Sequence, residues 1–160
     1  MNKQALTMTA AATVLLALFA MPALSHHSFA MYDQNKTVTL TGVAKQFVAQ
    51  ANHAELHFVL IAPDRKGLAK TPDGKYIEWG VEMAGAAAVA QQGITAATFP
   101  VGTVFSVKMN PLRDGSNFGS RIGALAKCPI DPATNKVKLP EPGKDCDSVP
   151  GMTLLGGNTF

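Results

Sequence analysis

Charge is scarce in this chain and never gathers. The 14 Lys and Arg and 11 Asp and Glu make up 16% of 160 residues, with no block of like sign, so the surface carries no electrostatic footprint for nucleic acid. Cysteine is nearly absent. Two residues, Cys128 and Cys146, are two ligands short of a thiolate metal site. An aromatic share of 7% offers no flat platform on which a polymer would stack. Neither a Ser-His-Asp order nor a phosphate-cradling glycine loop is visible, and Ser28 beside His27 is a chance neighbour, since triads assemble in space. There is no internal repeat and no low-complexity tract. The uncharged run "ALTMTAAATVLLALFA" is shorter than the roughly 20 residues a spanning helix needs.

What is there begins with that run. A short positive lead, "MNKQ", precedes it, and "MPALS" closes it with a proline and small residues. That order is the pattern of a secretory signal peptide. Ala23 and Ser25 occupy the two positions that should be small, which places the cut between Ser25 and His26. A cut after Ala23 would put Met21 where a small residue belongs. The alternative is an uncleaved membrane anchor. No Cys follows the run, so lipid attachment there is not expected. Residues 1–25 are thus read as a signal peptide. The mature chain then begins His26-His27-Ser28-Phe29, is periplasmic or secreted, and has no stable membrane span after cleavage. In an oxidising compartment Cys128 and Cys146 are expected to form a disulfide. Closing that loop contributes roughly 3 kcal/mol by the chain-entropy estimate. It staples "CPIDPATNKVKLPEPGKDC", a segment too rich in Pro, Asp and Lys to build its own core. Residues 128–160 are therefore a disulfide-stapled extension of a domain spanning 26–127.

Within that domain, "TVTLTGVAKQFV" (37–48) is β-branched and roughly alternating, with Gly42 interrupting it as a bulge or bend would. "AELHFVLI" (54–61) is a second strand. Leu56, Phe58 and Leu60 share one of its faces, and His53, Glu55, His57 and Val59 the other. A long loop with Pro-Asp and Asp-Gly turn signals leads to a third strand, "KYIEWGVEM" (75–83). "AGAAAVAQQG" reads as a short helix ended by Gly93. "VGTVFSVKM" (101–109) and "RIGALAK" (121–127) are the fourth and fifth strands, joined by the loop "NPLRDGSNFGS". Five strands, a helix between the third and fourth, and a glycine bend in the first predict an all-β protein. Its expected architecture is a small five-stranded barrel of the oligonucleotide/oligosaccharide-binding (OB) type. An open β-sandwich is the alternative.

The elements "HHSFAMYD", "KTVTLTGV", "ANHAELHF", "EWGVEM" and "NPLRDGS", in this order, resemble a bacterial family of exported domains of unknown function. Its mature chains open His-His-Ser-Phe and continue with an aromatic-Asp pair. The resemblance runs from about Ser25 to Gly123. It departs at Ala51-Asn52-His53, where the family pattern is Asn-Pro-His. The resemblance implies export and a small β-barrel, and it brings no established activity.

The chemistry must come from the residues. An N-terminal His offers its α-amine and Nδ1 to one metal, and a third nitrogen from another His completes a planar set that suits Cu(II). The amine, with a free pKa near 7.7–8, loses its proton at little cost near neutral pH. His26 is the first candidate, with His27 in its place if the cut slips by one residue. His53 or His57 would give the third nitrogen. A strand rise of ~3.4 Å per residue sets these two about 13 Å apart, too far to share one metal, and His53, beside the turn, is preferred. Copper is the expected cofactor, and the function expected is binding, not catalysis. An oxidative copper enzyme would use the same ligands but needs a substrate surface. The main alternative is a module that binds a small molecule, peptide or partner protein through its open face and the fourth-to-fifth strand loop. Arg113 and Asp114 are the candidates in that loop, although both also suit plain turn chemistry. Glu78 and Glu82, four apart on one strand face, are an acid/base pair in principle and solvated carboxylates by default. Trp79 is expected to pack in the core.

Overall fold

The alternating stretch around Gly42 becomes one long strand, β1 (Val38–Ala49), which serves two neighbours. The computed structural model describes residues 29–157; the expected signal peptide, the cut, His26 and His27 lie outside the described residues. Four further strands follow: β2 (His53–Leu60), β3 (Glu78–Ala84), β4 (Val104–Pro111) and β5 (Phe118–Lys127), with the helix α1 (Ala86–Gln91) between β3 and β4. A short β6 (Thr153–Leu155) comes last.

The sheet order is β3-β2-β1-β4-β5-β6, and β3 also pairs with β5. That last pairing is parallel and joins Gly80 to Phe118, Val81 to Gly119 and Glu82 to Ser120. It closes β1 to β5 into a ring. The protein is the expected closed five-stranded barrel with one short helix, and the open sandwich is excluded.

Gly42 is where β1 changes hands. It pairs with Leu60 of β2 on one side and with Phe105 of β4 on the other. A Cβ at this position would run into the Phe58 ring and lie 2.8 Å from the Val59 carbonyl oxygen, so only glycine lets the two backbones approach. The register irregularity falls slightly later, between Ala44 and Gln46. The bulge and the glycine are therefore separate features.

The barrel is filled by residues of the inward period. Leu56, Phe58, Val81, Phe105, Met109 and Leu125 are all buried, and Val89 and Ile94 from the helical region join them. Phe105 sits between two edge-on rings, Phe58 at 5.2 Å and Phe99 at 5.5 Å, a favoured aromatic geometry. Trp79 packs half-buried against this core. Gly93, with φ of 77°, ends the helical turn as its sequence position suggests.

Several boundaries differ from the sequence reading, each for a local reason. The third strand starts at Glu78, not Lys75, because Tyr76 bridges back to Lys70 and the Ile77 amide bonds Ala69 O. Residues 101–103 form a turn through Gly102, whose φ is 93°. The fifth strand starts early, at Phe118, because Phe118–Ser120 makes the closing pairing with β3. The segment "TLL" of β6, which lies outside the ring on β5, is too short to show a period.

Cys128 and Cys146 form the expected disulfide. The bridge sits in a second apolar cluster with Ile61, Val104 and Ala126, with Val137 packed against it. The extension thus borrows core from one end of the barrel. A buried polar link ties it down further. The Cys146 amide donates to Ser106 Oγ at 2.8 Å, and Ser106 Oγ lies 2.8 Å from Thr41 Oγ1. Ser106→Ala would strand both partners inside the protein. It is expected to lower unfolding free energy by about 1–3 kcal/mol, read as a lower urea midpoint at unchanged m-value. An unchanged midpoint would show that the link contributes nothing.

Candidate functional site

The two-residue period of β2 sends Ala54, Leu56 and Phe58 into the core and leaves His53, Glu55 and His57 on the outer face. Antiparallel pairing with β3 then sets Glu55 opposite Glu82, His53 opposite Ala84 and His57 opposite Gly80. Two carboxylates directly across a ladder repel, and each is met by a histidine. Glu82 Oε1 lies 3.5 Å from His53 Nδ1, and Glu55 Oε2 lies 2.8 Å from His57 Nε2. All four side chains are partly shielded from solvent.

A fifth group comes from outside the barrel. Tyr32, only 3% exposed, lies beside the Glu82 carboxylate. Burial above all, then the charge and hydrogen bond of Glu82, then the charge of Glu55, raise the phenol well above its ordinary pKa. Its hydroxyl therefore stays protonated and acts as donor. Tyr32 belongs to the segment that follows the double histidine in sequence, and that segment is pinned at several points. Tyr32 bridges to Leu112, the Arg113 amide donates to Met31 O, and the Asp33 amide donates to Pro111 O. Arg113 Nε donates to Ala30 O at 2.9 Å, and its Nη1 lies 3.9 Å from Asp33 Oδ1.

The candidates from the β4–β5 loop therefore have duties within the fold. Arg113 anchors the entering chain. Asp114 Oδ1 accepts the Ser116 amide at 2.8 Å, and bonds from the Ser116 amide and hydroxyl hold its carboxyl below the ordinary value. Glu78 and Glu82 do not work together: Glu78 is exposed and bonds Lys45 Nζ at 2.6 Å.

The two strand histidines differ in setting. A Cβ on Gly80 would run into the Phe118 ring and stand 3.3 Å from His57 Nδ1. The missing side chain thus lets Phe118 lie beside His57, with ring centroids 6.3 Å apart. His57 is held with Nδ1 facing β3 and Nε2 on Glu55. His53 instead has Nδ1 3.5 Å from Glu82, the carboxylate beside Tyr32, and its Nε2 is buried. Among the described residues, no group of three or more His, Cys, Asp or Glu side chains is arranged to hold a metal ion. Any metal taken up by His53 needs further donors from elsewhere in the chain.

Tyr32, Glu55 and Phe118 were not candidates in the sequence. Tyr32 stood in view as the aromatic-Asp pair after the double histidine, and Glu55 as the residue between two histidines of like face. Phe118 had no signal, since its place depends on the closing pairing. Elsewhere an apolar cavity of about 260 Å³ opens between the barrel and the extension, lined by Val43, Ile61, Leu68, Val104, Val137 and Leu139. It offers no polar side chain to orient a ligand.

A model for a family of unknown function, DUF6152, matches residues 12–121. The chain belongs to this family. The DUF6152 span includes the double histidine, Tyr32, the whole β2–β3 face and Arg113, whereas the disulfide and β6 lie beyond it. No curated protein and no solved structure matches the chain.

Proposed function

We propose that this is an exported bacterial protein that binds Cu(II) at a processed N-terminus. Cleavage after Ser25 exposes His26. Its amine and Nδ1 form one chelate, and a histidine of the β2 face gives the third nitrogen. The function is binding in the periplasm or outside the cell, with no chemical step assigned.

One observation carries the reading. The segment that follows the double histidine is pinned to the barrel by Met31, Tyr32 and Asp33, and Tyr32 is buried beside Glu82, the carboxylate that faces His53. From Tyr32 back to His26 the extended chain reaches at most roughly 21 Å. That length allows the N-terminal nitrogens to reach the strand histidine. The site also suits a cation on charge grounds, because Glu55 and Glu82 stand opposite each other on this face.

Mass spectrometry of the exported protein, denatured and native, tests both halves of the proposal. The expected result is a first residue of His26 and one copper per chain after growth with added copper. A chain that keeps residues 1–25, or one that begins at His26 and takes up no copper, would overturn it.

A further inference from the structure

We infer that the cavity between β4, β5 and the stapled extension binds a short apolar peptide in its zwitterionic form: Asp145 and Asp147 take the ammonium group, and Lys108 takes the carboxylate. The site shares no residue with the proposed copper site and stands or falls apart from it.

The hollow originates in β5. Leu125 pairs with Val107 and Ile122 with Lys108, so Gly123 and Ala124 have no partner on β4 and bulge from the ladder. Gly123 has a φ of 69°, a conformation that glycine adopts without strain. The bulge opens the outer surface of the barrel, and the extension walls the opening without filling it. The result is a cavity of about 380 Å³, with Ile122, Ala124 and Leu154 in its apolar lining and Asp145, Asp147 and Lys108 in its polar lining.

The two carboxylates are positioned by the residue between them. Cys146 is covalently bound to Cys128, and its amide donates to Ser106 Oγ. Asp145 and Asp147 thus flank a fixed point at the start of the short helical turn Cys146–Ser148. Burial, and then the charge of Asp147, raise the Asp145 carboxyl above its ordinary pKa against the opposing charge of Arg65. Arg65 is itself committed, with Nη2 donating to Lys144 O. Among the described residues neither carboxylate accepts a hydrogen bond, and neither they nor Lys108 form an ion pair. No third acidic, His or Cys side chain joins the two carboxylates to hold a metal ion among those residues. An ammonium group relieves their repulsion with charge-assisted hydrogen bonds, and the apolar wall asks for an apolar body behind it.

Lys108 sets the other end. It lies two positions from Ser106, the anchor of Cys146, on the same face of β4 and about 7 Å along the strand. An extended dipeptide is also about 7 Å long, a length that lets one molecule engage both the acidic and the basic side.

The test is titration calorimetry of the disulfide-intact protein with leucyl-leucine, its N-acetyl form and its C-terminal amide. Leucyl-leucine is expected to bind one to one, and acetylation, which removes the ammonium charge, to weaken binding about 10-fold. The double variant Asp145→Asn, Asp147→Asn should bind leucyl-leucine about 10-fold more weakly and no longer distinguish it from the acetylated form. Lys108→Gln should bind peptide and amide alike, where the wild type favours the peptide. Glycyl-glycine keeps both charges without the apolar side chains and should bind more weakly than leucyl-leucine. No binding of leucyl-leucine at millimolar concentration, or equal binding of the acetylated form by the wild type, would overturn the site. A wild type that takes the amide as tightly as the peptide would overturn the role of Lys108, and one that takes glycyl-glycine equally well would overturn that of the apolar wall. The peptide comparisons on the wild type decide the matter even where a variant folds poorly.

Discussion

Blocking the α-amine of His26 is expected to lower Cu(II) affinity by orders of magnitude while leaving the fold unchanged. The amine and Nδ1 of one residue bind as a unit, and tethering two donors in this way raises affinity by about 10²–10⁴ over the same donors acting separately. Nitrogen donors in a plane also place Cu(II) ahead of the other common divalent ions, so the loss should be largest for copper. The block must remove the amine and not merely move it. A single glycine ahead of His26 would leave a free amine two residues from His27, able to form a new chelate. A pyroglutamate ahead of His26 keeps both rings and has no basic nitrogen. Competition titration of the capped and uncapped proteins gives the answer. Equal affinities would mean that the imidazoles act alone, and that the double histidine has no special relation to the cut.

The second large effect concerns the barrel. Gly42→Val should lower unfolding free energy by about 3 kcal/mol, at the upper end of the usual overpacking range. The new Cβ meets the Phe58 ring and the Val59 carbonyl oxygen. Phe58 cannot yield, because it is fully buried and packed edge-on to Phe105. The carbonyl cannot yield either, since it belongs to the strand paired with Gly42. Relief must come from separating β1 from β2, at the residue where β1 also joins β4. Gly157→Ala is a suitable control: its Cβ would make only an ordinary 3.5 Å contact with Ala124. Denaturant unfolding of both variants measures the difference. A Gly42→Val protein as stable as the control would mean that β1 and β2 are not in close contact there.

The barrel was legible in the sequence because its evidence is local. Alternation marks β2, alanine and Gly93 mark the helix, and Gly42 marks the place where one strand serves two partners. The site was legible only in pieces. That His53 and His57 share a face follows from the period of two. That they have different carboxylates follows from the register between β2 and β3, which no single strand carries. Tyr32 is a stronger case. Its partner Glu82 is fifty residues away, and only ring closure together with the anchoring by Arg113 brings the two together. The anchoring duty of Arg113 was hidden for the same reason: the carbonyl it holds, Ala30 O, lies 83 positions upstream. The disulfide could be inferred from compartment and cysteine count, but the cluster around it could not, because its other members come from the barrel.

The pairing of β3 with β5 is the shortest joint in the ring, three residue pairs beside longer ladders on every other side. Glu82 is one of those three positions, and Tyr32, buried beside it, bridges to Leu112 just past the end of β4. The entering segment therefore works as a clasp laid across the weakest closure. Prising β3 from β5 also pulls Glu82 away from the buried Tyr32, and freeing the clasp uncovers the joint. A ligand that gripped both this segment and the β2–β3 face would draw the clasp shut, and its binding would then raise the stability of the barrel by linkage.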